Sequence, residues 1–399
     1  MSDPDVREGI KLTERALRAD HPITRRRIEI VSAMEYDLFV HDQPEALDRT
    51  KPIFTIILLL HDGKRSFVEE SLSSVFAQTY ANTEVIIINN GAHGTVGDMI
   101  WRAFVDHRNA KLIRLPKNLH NPTAHHLDDP IPNLWNAALF CSVGDFAYFV
   151  SYDDSLGKDY VERMVALFEG NDECCTAAPM VVSINDTGDI NEGLSRVFAD
   201  GNARGRYTDG IELVRSYMRG SNAIRFPGGI LAVRSDLVLS LGGFDGMNDF
   251  SQLFKFAING VSGFDPAATL FWRHHAEQLN KHQKRMGLVY YRTFREFREV
   301  NQLRALHERV GGSEFAAAAS TYMDDIAKQI AIASFRDSCE YGPSAGFSAL
   351  KRLLKECPPR VGAAALTAAG RDLLTVGYTR HVPEPAKKLY RSVKRALRR

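Results

Sequence analysis

The run Tyr148-Phe149-Val150-Ser151-Tyr152-Asp153-Asp154 places an apolar stretch directly before two adjacent carboxylates. Burial of the apolar part would hold a strand, and its end would then present hard oxygen ligands. Such a pair suits Mg²⁺ or Mn²⁺ bridging a diphosphate, because the cation offsets charge that develops on a leaving group. Taken locally, the same acids also read as a helix N-cap with a solvated neighbour. Asp249 precedes Phe250-Ser251-Gln252-Leu253, where an acid either caps a helix or accepts a proton in catalysis. Gly228-Gly229 follows Phe226-Pro227 and reads either as a turn or as backbone that a ligand can approach closely, since no Cβ intrudes. The segment between Asn118 and Trp135 carries His120, His125, His126, Asp128 and Asp129 among prolines. It reads as a second metal site, as a donor-side or lid contact, or as neither, and adjacent histidines cannot easily turn both rings to one ion.

These residues need elements to position them. From residue 54 onward, short apolar runs end in polar or glycine residues and are followed by helical stretches, the pattern of β-α-β units. Strands are expected over 54–60, 84–88, 110–115, 146–151 and 176–183. A helix is expected over 67–78, where Phe67, Leu72, Val75 and Phe76 recur at near-helical spacing. Buried strands joined by helices favour an α/β fold with a mostly parallel sheet and ligands at the strands' C-terminal ends. A second block, 210–272, mixes helix over 211–218 and 250–258 with strand-like 229–233. The leader, 1–50, is expected to be helical over 6–18 and 25–34 and to contain no site. The region 283–399 is expected to be helical, with segments at 315–334 and 347–355.

Composition narrows the function. With 399 residues, 44% hydrophobic and 25% charged, the chain reads as a folded globular protein. Its 50 Lys and Arg nearly cancel 49 Asp and Glu, so no global field recruits nucleic acid, and none is expected as a partner. The five cysteines, without a Cys-x-x-Cys pair, read as reduced thiols. The longest apolar run, 53–60, is far shorter than the ~20 residues of a membrane-spanning helix. The acidic start Met1-Ser2-Asp3-Pro4-Asp5 does not read as a secretory signal, which leads to an expectation of cytoplasmic residence. Residues 386–399 combine Lys387, Lys388, Arg391, Lys394, Arg395, Arg398 and Arg399 with Leu389, Tyr390, Val393 and Leu397. This segment reads either as a basic amphipathic helix in peripheral contact with the inner face of a membrane or as a solvated tail.

The order of several motifs resembles the family 2 glycosyltransferases. They are Phe54-Thr55-Ile56-Ile57-Leu58-Leu59-Leu60, Ala77-Gln78-Thr79-Tyr80, Asn89-Asn90-Gly91, Leu115-Pro116-Lys117-Asn118, Trp135-Asn136-Ala137-Ala138, Asp153-Asp154, Gly228-Gly229, Gly242-Gly243-Phe244-Asp245 with Asp249, and Trp272-Arg273-His274-His275. The resemblance covers about residues 52 to 280. It implies a GT-A-like, Rossmann-type domain over 51–282 that moves a sugar with inversion from a nucleoside-diphosphate donor to a saccharide or lipid-linked acceptor, as in cell-surface polysaccharide or glycoconjugate synthesis. It assigns Asp153 and His275 to a Mn²⁺ or Mg²⁺ ion and Asp249 to the general base. Leu60, Asn89, Asn90, Asn118, Asn136, Asp153, Asp154, Gly228 and Gly229 fall to the donor side. The departures are Asn89 and Asn90 where the family has acids, Ser151 for an acid, Trp135 for an arginine, and Asn248 for a glutamate. They support an alternative, a catalytically inactive nucleotide-sugar-binding or scaffolding protein.

Overall fold

The computed structural model describes residues 5–8, 12–42, 44, 46–119, 130–201, 205–213, 231–244, 255–275, 327–328, 331, 351, 354 and 359–375. Its strands run in chain order as β1 (Asp5–Glu8), β2 (Asp37–Val40), β3 (Phe54–Leu60), β4 (Thr83–Asn90), β5 (Ala110–Leu115), β6 (Phe146–Ser151), β7 (Ser155–Leu156), β8 (Cys174–Ile184), β9 (Tyr207–Asp209), β10 (Ala232–Arg234) and β11 (Val261–Arg273). They form one sheet ordered β1-β2-β5-β4-β3-β6-β10-β8-β11-β7, with β9 also on β11. The middle of the sheet is parallel: β5, β4, β3 and β6 pair in one direction. β3 and β6 are largely aliphatic and aromatic, the middle of β4 is aliphatic, and β4 is buried along its whole length. That is the signature of a sheet covered on both faces.

The covering helices follow from apolar stripes. After α1 (Glu14–Leu17) and α2 (Pro22–Ser32), α3 (Arg65–Phe76) buries Phe67, Val68, Ser71, Leu72 and Val75 along one face, and α4 (Gly94–Asp106) buries Ile100 and Phe104. The others in the first half are α5 (Pro130–Cys141), α6 (Tyr160–Glu169) and α7 (Glu192–Gly201), followed by α8 (Ser235–Ser240). The result is the expected α/β architecture, a central parallel sheet flanked by helices, extended at both sides by mainly antiparallel strands.

Three local expectations differ from the structure. Residues 5–8 pair antiparallel with β2 and so join the sheet, and helix begins only at Glu14, where Thr13 caps it. Pairing with a neighbouring strand outweighs local helical preference there. The described end of the expected 250–258 helix gives way to a 3₁₀ turn over Ala257–Asn259. The long strand β11 was not expected from the sequence. Its register against β8 shifts between Asp265 and Thr269, around Pro266, which breaks the period-two pattern by which strands are read.

At the N-terminal end of the parallel strands the Glu84 carboxylate is buried and fully engaged. It pairs with Lys111 Nζ at 2.6 Å and accepts from Thr55 Oγ1 at 2.8 Å and Val143 N at 2.9 Å. A buried charge held this way fixes strand register without being left uncompensated.

The chain divides into two compact units, Met1–Tyr217 with Ser221–His274, and Met218–Gly220 with His275–Arg399. Of the second, the longest described element is α9 (Pro359–Thr375), with Val361, Ala365 and Leu366 buried at helical spacing. Among the described residues, no helix is long and apolar enough to cross a membrane.

Candidate active site

The C-terminal end of β6 builds the first part of the site. Tyr148 and Val150 are buried in the core, Ser151 ends the strand exposed, and the chain turns at Tyr152 and Asp153. The turn is held from β11. The backbone N–H of Arg273 donates to Asp154 Oδ1 at 3.0 Å, and Asp154 N donates back to Ser151 O at 3.3 Å. The Arg273 side chain is only 2% exposed. Its Nε donates to Asp153 O at 3.0 Å and Nη1 to Asn185 O at 3.0 Å, while Nη2 pairs with Glu70 of α3. Its guanidinium lies 4.5 Å from the centre of the Phe67 ring. The two acids therefore differ: Asp154 braces β11 through its carboxylate, whereas Asp153 is bound to Arg273 through its main chain and stands half-buried in the turn.

The turns after β3 and β4 form the next part. His61 packs its ring 4.2 Å from that of Tyr152, and a Cβ on Gly63 would fall 2.5 Å from the same tyrosine ring. Asp62 Oδ1 accepts from His93 N at 3.1 Å, joining the two turns. Leu60 is fully buried and pairs with Asn89 across the strand ends. Asn89 closes a turn on Ala92, accepting from its N at 2.7 Å and donating to its O at 3.2 Å. Asn90 donates to Asn118 Oδ1 at 3.0 Å and accepts from Leu119 N at 2.9 Å. Gly91 has φ of +73°, and a Cβ there would lie 2.2 Å from Asn118 N. Leu60, Asn89, Asn90 and Asn118 thus come together at one edge. Both asparagines of β4 use their amides to shape it.

Asn136 holds a different part. Its Nδ2 donates to Pro132 O at 2.7 Å and Phe244 O at 2.9 Å, and its Oδ1 accepts from Phe244 N at 2.8 Å. Arg27 Nε donates to Gly242 O at 2.9 Å, and Lys255 Nζ to Gly243 O at 2.6 Å. All three side chains are buried. The Gly242-Gly243-Phe244 turn is thus gripped by α2, by α5 and by Lys255. Both glycines have positive φ, +94° and +81°, and a Cβ on Gly243 would lie 2.4 Å from Asn136 Oδ1. Trp135 stacks on Phe149 of β6 at 4.2 Å between ring centres, and Phe149 meets Phe244 edge-on at 4.9 Å. Apolar packing occupies the place where the resemblance has an arginine.

Gly228, Gly229, Asp249 and the His120 to Asp129 segment lie outside the described residues. His275 is buried and is the first residue of the second unit's main segment. Among the described residues no group of three or more His, Cys, Asp or Glu could hold a metal ion. The donor set at the β6 turn consists of carboxylate oxygens, one of which already accepts from Arg273 N. It fits a cation that takes one or two protein carboxylates and fills its remaining positions with phosphate oxygens and water, as Mg²⁺ does. It does not fit an all-protein cage. Arg273 and Glu70 were not singled out from the sequence. The available signal was an arginine at the end of an apolar run, beside His274-His275.

The profile of Glycosyl transferase family 2 matches residues 55–221. The matched segment is less than half of the chain. It starts within β3 and takes in the turns after β3, β4 and β6, including Asp153 and Asp154, while the Gly242 to Phe244 turn and Arg273 lie beyond it. An uncharacterized glycosyltransferase of Haemophilus influenzae (strain ATCC 51907 / DSM 11121 / KW20 / Rd) is 27% identical over 122 residues, or 30% of this chain. The chain spans 34% of the length of that curated relative. Similar solved structures include a mannosyltransferase, PcManGT from Pyrobaculum calidifontis, in complex with GDP-Man and Mn²⁺ (14% identity, TM-score 0.48, 88% of each chain). Another is S. aureus TarS (13% identity, TM-score 0.47, 86% of this chain and 55% of that one).

Proposed function

We propose that this chain transfers a sugar, with inversion, from a nucleoside-diphosphate donor to a saccharide or lipid-linked acceptor. One observation carries the reading. Inside the segment that the family 2 profile matches, the Asp153 turn is held at the C-terminal end of a central parallel strand, where sheets of this kind bind ligands. In this reading the nucleotide rests against the main chain after β3 and β4, with Asn89 and Asn90 shaping its seat. Asp153 would hold Mn²⁺ or Mg²⁺ together with the diphosphate. Such an ion would supply charge stabilisation to the leaving diphosphate. Gly228 and Gly229 would let the main chain approach the sugar. Asp249 would accept the acceptor hydroxyl's proton while that oxygen attacks the anomeric carbon and the diphosphate departs with the bonding electrons. A single displacement inverts the configuration.

A thermal-shift panel of nucleoside diphosphates and their sugars, with and without Mn²⁺, tests this reading. One nucleotide should raise Tm with its concentration, and more strongly with Mn²⁺, because a ligand stabilises the state it binds. Silence across the panel would reject it. A second reading, nucleotide-sugar binding without turnover, is favoured by the asparagines of β4 and by Ser151. Slow Mn²⁺-dependent hydrolysis of the bound donor would argue against it.

A further inference from the structure

We propose that Arg273 is the positioning residue of the Asp153 turn. Its side chain joins segments far apart in the chain: the β6 turn through Asp153 O, the end of β8 through Asn185 O, and α3 through Glu70. Its own N–H holds Asp154. A buried guanidinium is costly unless it is paired and hydrogen-bonded. Here the Glu70 carboxylate supplies the charge and the two carbonyls take the remaining directions, with the Phe67 ring beneath the cation. Glu70 also accepts from Ser155 Oγ at 3.1 Å, so the residue just after the acids is tied to the same anchor. The turn is thereby clamped on both sides, and Asp153 inherits a fixed main-chain position. Lysine cannot reproduce this, because an ammonium on a flexible stem lacks the planar fork that reaches three segments at once.

The consequence for ligand binding rests on the sugar-transfer reading, whereas the consequence for the turn does not, so two readouts separate them. In Arg273→Lys, amide hydrogen exchange should accelerate at least tenfold across 152–155 and at residue 273, with β3 and β4 unchanged. The Mn²⁺-dependent gain in nucleoside-diphosphate affinity should fall at least tenfold, while affinity in EDTA stays at the wild-type value. Unchanged exchange across 152–155 would overturn the assignment. So would accelerated exchange with the Mn²⁺ gain intact. Accelerated exchange in a protein whose wild-type form shows no Mn²⁺-dependent gain would uphold the clamp and reject the sugar-transfer reading. Should Arg273→Lys fail to fold, Glu70→Gln decides. It removes the anchoring charge and should give the same changes, at least threefold, and their absence would again overturn the assignment.

Discussion

Asp153 and Asp154 are neighbours of the same type, yet the structure gives them different work. Asp154 accepts from Arg273 N across 119 positions of sequence, so its removal leaves a main-chain donor of β11 without that acceptor. Asp154→Ala should cost about 1–3 kcal/mol, the scale of an unsatisfied buried group, in denaturant melts. The pair itself was legible, because two acids after an apolar run stand out. The division between them was not, because it depends on a strand whose irregular register hid it from the period-two pattern. Asn89 and Asn90 make the same point in reverse. They were expected on the donor side, and in the structure the Asn89 amide closes a turn on Ala92 while that of Asn90 ties the end of β4 to Leu119. Asp249 remains the proposed base. Asp249→Asn should leave donor affinity near the wild-type value and lower transfer by about 10²-fold or more. Transfer at the wild-type rate would reduce it to a helix cap.

At the scale of elements, the Gly242 to Phe244 turn depends on α2, which belongs to the leader and was expected to contain no site. Arg27 of that helix donates to Gly242 O, and sequence offers no period by which to foresee a contact between residues so far apart. Asn136 of α5 was legible as a special residue. In the structure it holds Phe244, from which the chain leads on to Asp249. Asn136→Ala removes partners from Phe244 N, Phe244 O and Pro132 O, so unfolding free energy should drop by about 2–4 kcal/mol, summing the cost of buried groups left unpaired. Nucleotide affinity of the folded fraction should be unaltered. A loss of nucleotide affinity with stability intact would instead return Asn136 to the donor side.

For the molecule as a whole, the sheet was the most legible feature. The boundaries of β3, β5 and β6 match those expected; β3 and β6 are nearly continuous apolar runs, as strands buried on both faces require, whereas β5 carries Lys111 and the exposed Arg114 between its apolar residues. The less legible parts were those set by tertiary pairing: β1, the long β11, and the side-chain ties that link α2, α3 and α5 to distant turns. Together they place a carboxylate turn at the C-terminal end of a central parallel strand, and the account stands on the proposal that this turn serves a cation-bridged nucleotide. Isothermal titration of the nucleoside diphosphate chosen by the thermal-shift panel, with Mn²⁺ and with EDTA, in wild type and Asp153→Ala, tests it most directly. The account predicts tighter binding with Mn²⁺ in the wild type, and in folded Asp153→Ala a single weak affinity that Mn²⁺ does not change. Equal Mn²⁺-dependent tightening in both proteins would contradict it.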